Sequence, residues 1–160
     1  MKYESTNTII KAIAVSIVII LLGGLSALSV QWINGIGISS IYKTITLPIL
    51  SPPGWVFGPV WTILYIFIGI YIANLSYLKY DKIKLSVLTY FQLFLNLIWT
   101  TVFFGYSNYG LASLMIFVMD ISVILILVND HRKIKWILIP YLVWIIFASY
   151  LSISVYFLNK

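Results

Sequence analysis

Apolar residues gather into five long runs, at 9–30, 55–78, 85–104, 111–128 and 134–158, with short polar stretches between them. Each run is near the ~20 residues that carry a helix across the hydrocarbon of a bilayer. None alternates with the period of two that a half-buried strand requires. In lipid, a segment must satisfy its backbone N–H and C=O groups internally, so all five are predicted as α-helices. The pattern therefore predicts an all-α membrane protein, a five-transmembrane-helix bundle forming a single domain over 1–160. The first run is too long for the core of a cleavable leader and is read as a span, with no cleavable signal.

Between the first two runs lies a long segment, 31–53, with Gly35, Gly37, Pro48, Pro52 and Pro53. It could be a disordered connector. Its apolar side chains Ile41, Tyr42, Ile45, Leu47, Ile49 and Leu50 argue instead for a lid packed over a site, since such a segment gains by burial. By contrast, 105–110 is uncharged and short, and should join two antiparallel neighbours tightly.

Composition agrees with the pattern and narrows the chemistry. Of the 160 residues 62% are apolar and 9% charged, against about a quarter charged in soluble domains. Cysteine is absent, which excludes disulfides and thiolate metal sites, and one histidine with four carboxylates leaves no metal-ligand set. The net charge of +6 does not indicate a nucleic-acid partner, because the basic residues sit in the short stretches between spans. Lys2, Lys11, Lys79, Lys82, Lys84, Arg132, Lys133 and Lys135 fall on the N-terminal side of the bundle, and Lys43 and Lys160 on the other. The positive-inside rule then puts the N-terminus in the cytoplasm and the C-terminus outside. The lack of a presequence and the Ile/Lys/Asn-rich usage point to a prokaryotic cell membrane.

Against this apolar background a few positions stand out. Ser51-Pro52-Pro53-Gly54-Trp55-Val56-Phe57-Gly58-Pro59-Val60-Trp61 opens the second span with a rigid double proline, two glycines and two tryptophans. In the third span Gln92, Asn96, Trp99 and Phe103 share one helical face. Intramembrane amides point to protein or to a cavity, so this stripe is either interhelical glue or the wall of a site. In the fifth span Pro140, Trp144, Phe147, Ala148 and Leu151 fall together, and Pro140 is expected to kink the helix. Trp144 lies far from the interfacial belt where tryptophan usually anchors; Trp136 and Trp32 read as such anchors. Asp120 is an acid well inside a span, so a proton or cation site and a protonated structural group are both open. His131 is read as a solvated loop residue rather than a haem ligand. No catalytic constellation occurs: the single histidine is in a loop, no acidic pair shares a face, and no phosphate-binding loop is present. Aromatic faces, small residues and a few amides suit a large, flat, apolar ligand with a polar edge.

These residues resemble the TspO/MBR family, the translocator proteins or tryptophan-rich sensory proteins also called peripheral-type benzodiazepine receptors. The resemblance rests on 52–61 with Leu64-Tyr65, on Gln92, Asn96, Trp99 and Phe103-Phe104-Gly105, and on Pro140-Tyr141, Trp144 and Phe147-Ala148. It implies a receptor or carrier, commonly a homodimer, that binds porphyrins (tetrapyrroles), sterols and drug-like aromatics in a pocket beneath the 31–53 lid. It implies ligand-binding roles for Trp55, Asn96, Trp99, Trp144, Ala148 and Leu151, with Pro52, Pro53 and Gly54 at the lid and pocket mouth. No cofactor and no catalytic residue are implied, although family members have also been proposed to degrade porphyrins photo-oxidatively. An ion-coupled transporter using Asp120 is a further alternative. The chain departs from the family pattern at Ser152, where Asn is common, and at Met115, where an acid is common. It departs again at Ile41, Leu47 and Leu50, all of which make the pocket and lid more apolar. Leu151, Tyr156 and Lys160 also satisfy a proposed cholesterol-contact pattern.

Overall fold

The computed structural model describes residues 2–160, with side chains from Thr6 onward, so Lys2 of the charge count has its side chain outside the described residues. Five helices are long and apolar enough to cross a membrane. They are α1 (Lys2–Asn34), α3 (Phe57–Ala73), α4 (Lys82–Thr100), α5 (Tyr109–Asn129) and α6 (Ile139–Leu158), with a short α2 (Ile38–Thr44) inside the first long connection. No strand occurs among the described residues. The protein is an integral membrane bundle of five α-helical spans.

The distribution of side chains is that of a protein solvated by lipid. Large apolar residues such as Ile13, Leu21, Leu25, Phe94, Leu114 and Val143 face outward, while Thr89, Gln92, Asn96, Ser149 and Ser152 are buried. Hydrocarbon offers polar groups no partner, so they turn inward and find each other. Around the bundle, α3 packs on α1, α1 on α4, α4 on α5 and α5 on α6, and α6 closes back on α3. The closest approach is between α1 and α3. A Cβ built on Gly69 would lie 2.1 Å from Ser16 Oγ, and one on Gly23 would lie 2.5 Å from the Tyr65 ring. Glycine at these two points lets the axes come together, and Ser16 Oγ donates to the Ile66 carbonyl across the gap.

Local chemistry sets the helix ends. Asn108 caps α5 by accepting from the Leu111 N–H at 3.1 Å. After Thr100 the α4 backbone widens into a π turn, Thr101–Gly105, with Tyr106 N–H donating to the Thr101 carbonyl. The end of α1 supports this turn: the Asn34 amide donates to the Gly105 carbonyl at 3.0 Å. The expected kink at Pro140 is not found. A 3₁₀ stretch, Lys133–Leu138, precedes α6, and Pro140 sits in the first turn of α6. There its missing N–H would have had no intrahelical acceptor, so it starts the helix instead of bending it.

At the end of the bundle away from α2, a polar clamp ties the α5–α6 turn to the end of α3. Arg132 pairs with the buried Asp130 at 2.7 Å and also donates to the Asn74 carbonyl. The Tyr71 hydroxyl donates to Asp130 Oδ2 at 2.9 Å. Burial pushes the Asp130 carboxyl up, but the hydrogen bonds from Arg132 and Tyr71 outweigh it and hold the group below the ordinary carboxylate range.

Candidate ligand cavity

The residues at 54–61 begin α3 and aim one of its faces into the bundle. Gly54, Phe57, Gly58, Trp61 and Tyr65 recur at helical spacing and all line one cavity of about 460 Å³. Opposite them stand Trp99, Phe103 and Phe104 of α4 and its π turn. Phe103 and Phe104 both lie in the π turn and are buried. α6 contributes Trp144, Ala148, Leu151, Ser152 and Val155, and α1 contributes Ile20, Gly23, Gly24 and Ala27. Above them α2 and the segment after it supply Ile38, Ser39, Tyr42, Leu47 and Ser51.

The aromatic walls are mutually braced. Trp99 stacks on Phe103 at 4.8 Å and meets Phe104 edge-on at 6.3 Å. Trp144 meets Phe57 edge-on at 6.0 Å, and Tyr42 meets Phe57 at 5.5 Å. The two indoles differ in how they are held. The Trp99 N–H donates to the Ala112 carbonyl at 2.9 Å. The Trp144 N–H is buried with no partner among the described residues, and its ring packs against Phe57 and Phe147. Tyr42 ties the segment overhead together by donating to the Pro52 carbonyl at 2.8 Å, and burial pushes its hydroxyl pKa up. Further along, the Asn159 amide brackets Thr46, accepting from its N–H and donating to its carbonyl, each at 2.9 Å.

Of the residues picked out from sequence, Trp99, Trp144, Ala148, Leu151 and Gly54 converge on the cavity. Five others do not. Trp55 is 75% exposed and is not a wall residue. It precedes Phe57 by two positions at the 3₁₀ start of α3, so it points away from the Phe57 face. Asn96 is buried but spends its amide within the protein: Tyr65 Oη donates to its Oδ1 at 3.0 Å, and its Nδ2 donates to Tyr141 Oη at 3.2 Å. Tyr141 passes its own proton to Gln92 Oε1 at 2.6 Å. The amides of α4 thus bind α3, α4 and α6 together behind the wall. Asp120 is also away from the cavity, in the α5–α6 seam, where Ser149 Oγ donates to its Oδ2 at 2.6 Å and Oδ1 is buried without a partner among the described residues. Pro52 and Pro53 frame the turn into α3 without lining the cavity, although the Pro52 carbonyl takes the Tyr42 hydrogen bond.

Sequence reasoning missed the α1 contribution and the roles of Phe57 and Trp61 as walls. The 57-61-65 spacing was a usable signal for the second. Gly23, Gly24 and Ala27 read equally well as a helix-packing stripe, so nothing in the sequence marked α1 as a wall.

A cavity walled by indoles from α4 and α6, beside a Pro-Pro-Gly-Trp turn, coincides with a family match over residues 12–158 to the model described as the TspO/MBR family. The chain belongs to the TspO/MBR family. It is 44% identical over 124 residues to a protein of Archaeoglobus fulgidus named tryptophan-rich protein TspO, covering 74% of this chain and 79% of that one. A protein of the same name from Chlorobaculum tepidum is 35% identical, covering 74% and 78%. A translocator protein homolog of Schizosaccharomyces pombe is 33% identical, covering 74% and 77%. The fold above is thus that of a TspO/MBR chain, with named relatives in an archaeon, a bacterium and a yeast.

Proposed function

We propose that the protein is a non-catalytic receptor or carrier for flat, apolar molecules, with porphyrins and sterols as the leading classes. One observation carries this reading: an aromatic-walled cavity of about 460 Å³ inside a membrane bundle, within the range that holds drug-sized ligands. Trp99 and Trp144 would flank the ligand, Ala148 and Leu151 would give it room, and the 31–53 segment would act as the lid. Asn96 would act indirectly, by holding in place the wall residue Tyr65 and, behind the wall, Tyr141. The lysine and arginine bias supports a cytoplasmic N-terminus in a prokaryotic cell membrane, and a homodimer is the expected assembly.

The test is a titration of purified protein with a porphyrin, read by quenching of tryptophan fluorescence. An aromatic contact is worth about 1 kcal/mol beyond its area burial, so Trp144→Ala should weaken the apparent affinity roughly fivefold or more. An unchanged titration would remove Trp144 from the site. New absorbing products that require light and Trp144 would favour porphyrin breakdown instead.

A further inference from the structure

One turn over the cavity has the wrong chemistry for water. Elsewhere the turns between spans have polar tips, Ser107-Asn108 before α5 and Asp81-Lys82 before α4. In the segment between α2 and α3 the Ser51 N–H donates to the Pro48 carbonyl at 3.0 Å. This closes a β-turn with Ile49 and Leu50 at its two central positions, where Gly, Asn, Asp or Ser is usual. Ile49 is 100% exposed and Leu50 64% exposed.

The remainder of the segment is committed inward. Ile41 and Ile45 share a buried cluster with Phe103 and Phe104, and Tyr42 and Leu47 pack against it. Tyr42 is hydrogen-bonded to the Pro52 carbonyl, and Thr46 to Asn159. Ile49 and Leu50 are the apolar side chains that this packing leaves outside.

The neighbours of the turn indicate what surrounds it. Trp32, near the end of α1, is 73% exposed, and Trp55, at the start of α3, is 75% exposed. Exposed tryptophans at the ends of spans mark the level where headgroups meet acyl chains. Leu50 precedes Trp55 by five residues, at most about 17 Å of fully extended chain, and the rigid Pro52-Pro53 pair lies between them. Ile33 and Ile36, also exposed, continue the lipid-facing surface past the end of α1. No charged side chain occurs over 44–78, so none on this stretch opposes insertion.

We propose that the 48–51 turn inserts Ile49 and Leu50 into the bilayer interface at the α2 end of the bundle, and that this lipid contact anchors the roof of the cavity. At the headgroup–acyl boundary, about 5–10 Å deep, the two side chains meet hydrocarbon instead of water. The roof is then held from two sides, by protein beneath and by lipid outside. Lifting it would draw both side chains into water. This contact does not depend on what the cavity binds.

The chain has no cysteine, so single cysteines carrying an NBD fluorophore report the tip in phosphatidylcholine vesicles. The variants are Ile49→Cys and Leu50→Cys, with Ser107→Cys, at a polar turn, as the reference. Lipids bearing a nitroxide high on the acyl chain should quench the labels at 49 and 50 about threefold more than the label at 107, and aqueous iodide should quench them about threefold less. A tip as open to iodide as position 107 overturns the proposal. So does a tip shielded from both quenchers, since protein, such as a second copy of the chain, would then cover it. Anchoring is read separately, by amide hydrogen exchange over 46–52 in the same vesicles. Ile49→Ser combined with Leu50→Ser should speed this exchange about tenfold, and Ile49→Leu combined with Leu50→Ile, which keeps the tip apolar, should leave it within about twofold. Exchange unchanged in the serine variant, or equally fast in both, overturns the anchoring. Both positions are exposed, so these substitutions leave the packed core intact.

Discussion

Trp99 and Trp144 form two walls of the cavity with different freedom. Trp99 is fixed by a hydrogen bond to Ala112 O, and its plane is set before any ligand arrives. Trp144 carries an unpartnered buried N–H, a cost of about 1–3 kcal/mol that a rotated ring could recover. The second indole is therefore the adaptable one. Asp120 poses a different question at the same scale. Its Oδ1 is buried without a partner, which leaves the ion-coupled alternative a concrete residue to act through. Because Asp120 does not line the cavity, Asp120→Asn should leave porphyrin quenching within about twofold. The asparagine carbonyl still accepts from Ser149, so stability should change by no more than about 1 kcal/mol. If ions are coupled to transport, flux into liposomes must fall in this variant; undiminished flux removes Asp120 from that role.

The contacts between elements explain why some glycines matter and others do not. Gly69→Ala would force its Cβ against Ser16, including the backbone of α1 at 2.8 Å. The helices must separate, and the expected loss is about 2 kcal/mol or more, seen as a lower midpoint in thermal unfolding. Gly24→Ala meets nothing, so helix propensity should make it neutral or stabilising by up to ~1 kcal/mol. The clamp of Asp130, Arg132 and Tyr71 is an inter-element contact with a pH signature. The folded Asp130 carboxyl is held below its ordinary value, so it takes up a proton less readily folded than unfolded. Its stabilising effect is then complete above the ordinary carboxylate range and is lost as pH falls through the depressed folded value. Thermal midpoints of the wild type should decline through that acidic window, and Asp130→Asn should flatten this part of the profile.

At the scale of the whole molecule, the bundle is apolar on its outer face as well as in its core, with a minority of polar side chains buried inside. Lipid solvation decides this arrangement, and the same solvent makes the five spans readable as hydrophobic runs. The orientation across the membrane proposed from the lysine and arginine bias is open to a direct test. Because the chain has no cysteine, single cysteines report it cleanly. Cysteine at Lys79 should react with a membrane-impermeant maleimide only from the cytoplasmic side, and cysteine at Ser107 only from outside. The opposite labelling pattern would reverse the topology.

The sequence alone determined the number of spans, the membrane environment and the family, because hydrocarbon tolerates only long apolar helices and the Pro-Pro-Gly-Trp turn is rare among them. It also marked Trp99, Trp144, Ala148 and Leu151, whose spacing on two helices was enough to place them on inward faces. What it left undecided was how those faces meet. Asn96 and Gln92 carried the same signal whether they served a ligand or the packing, and only their partners in the fold, Tyr65 and Tyr141, distinguish the two. Trp55 shared its motif with Phe57 and Trp61, yet a difference of two residues at a helix start turned it outward. The end of α1 meets the π turn that carries Phe103 and Phe104, and the glycine crossing makes α1 a wall. Both are products of packing between segments far apart in the chain, and a pattern read along one helix holds no record of its neighbours.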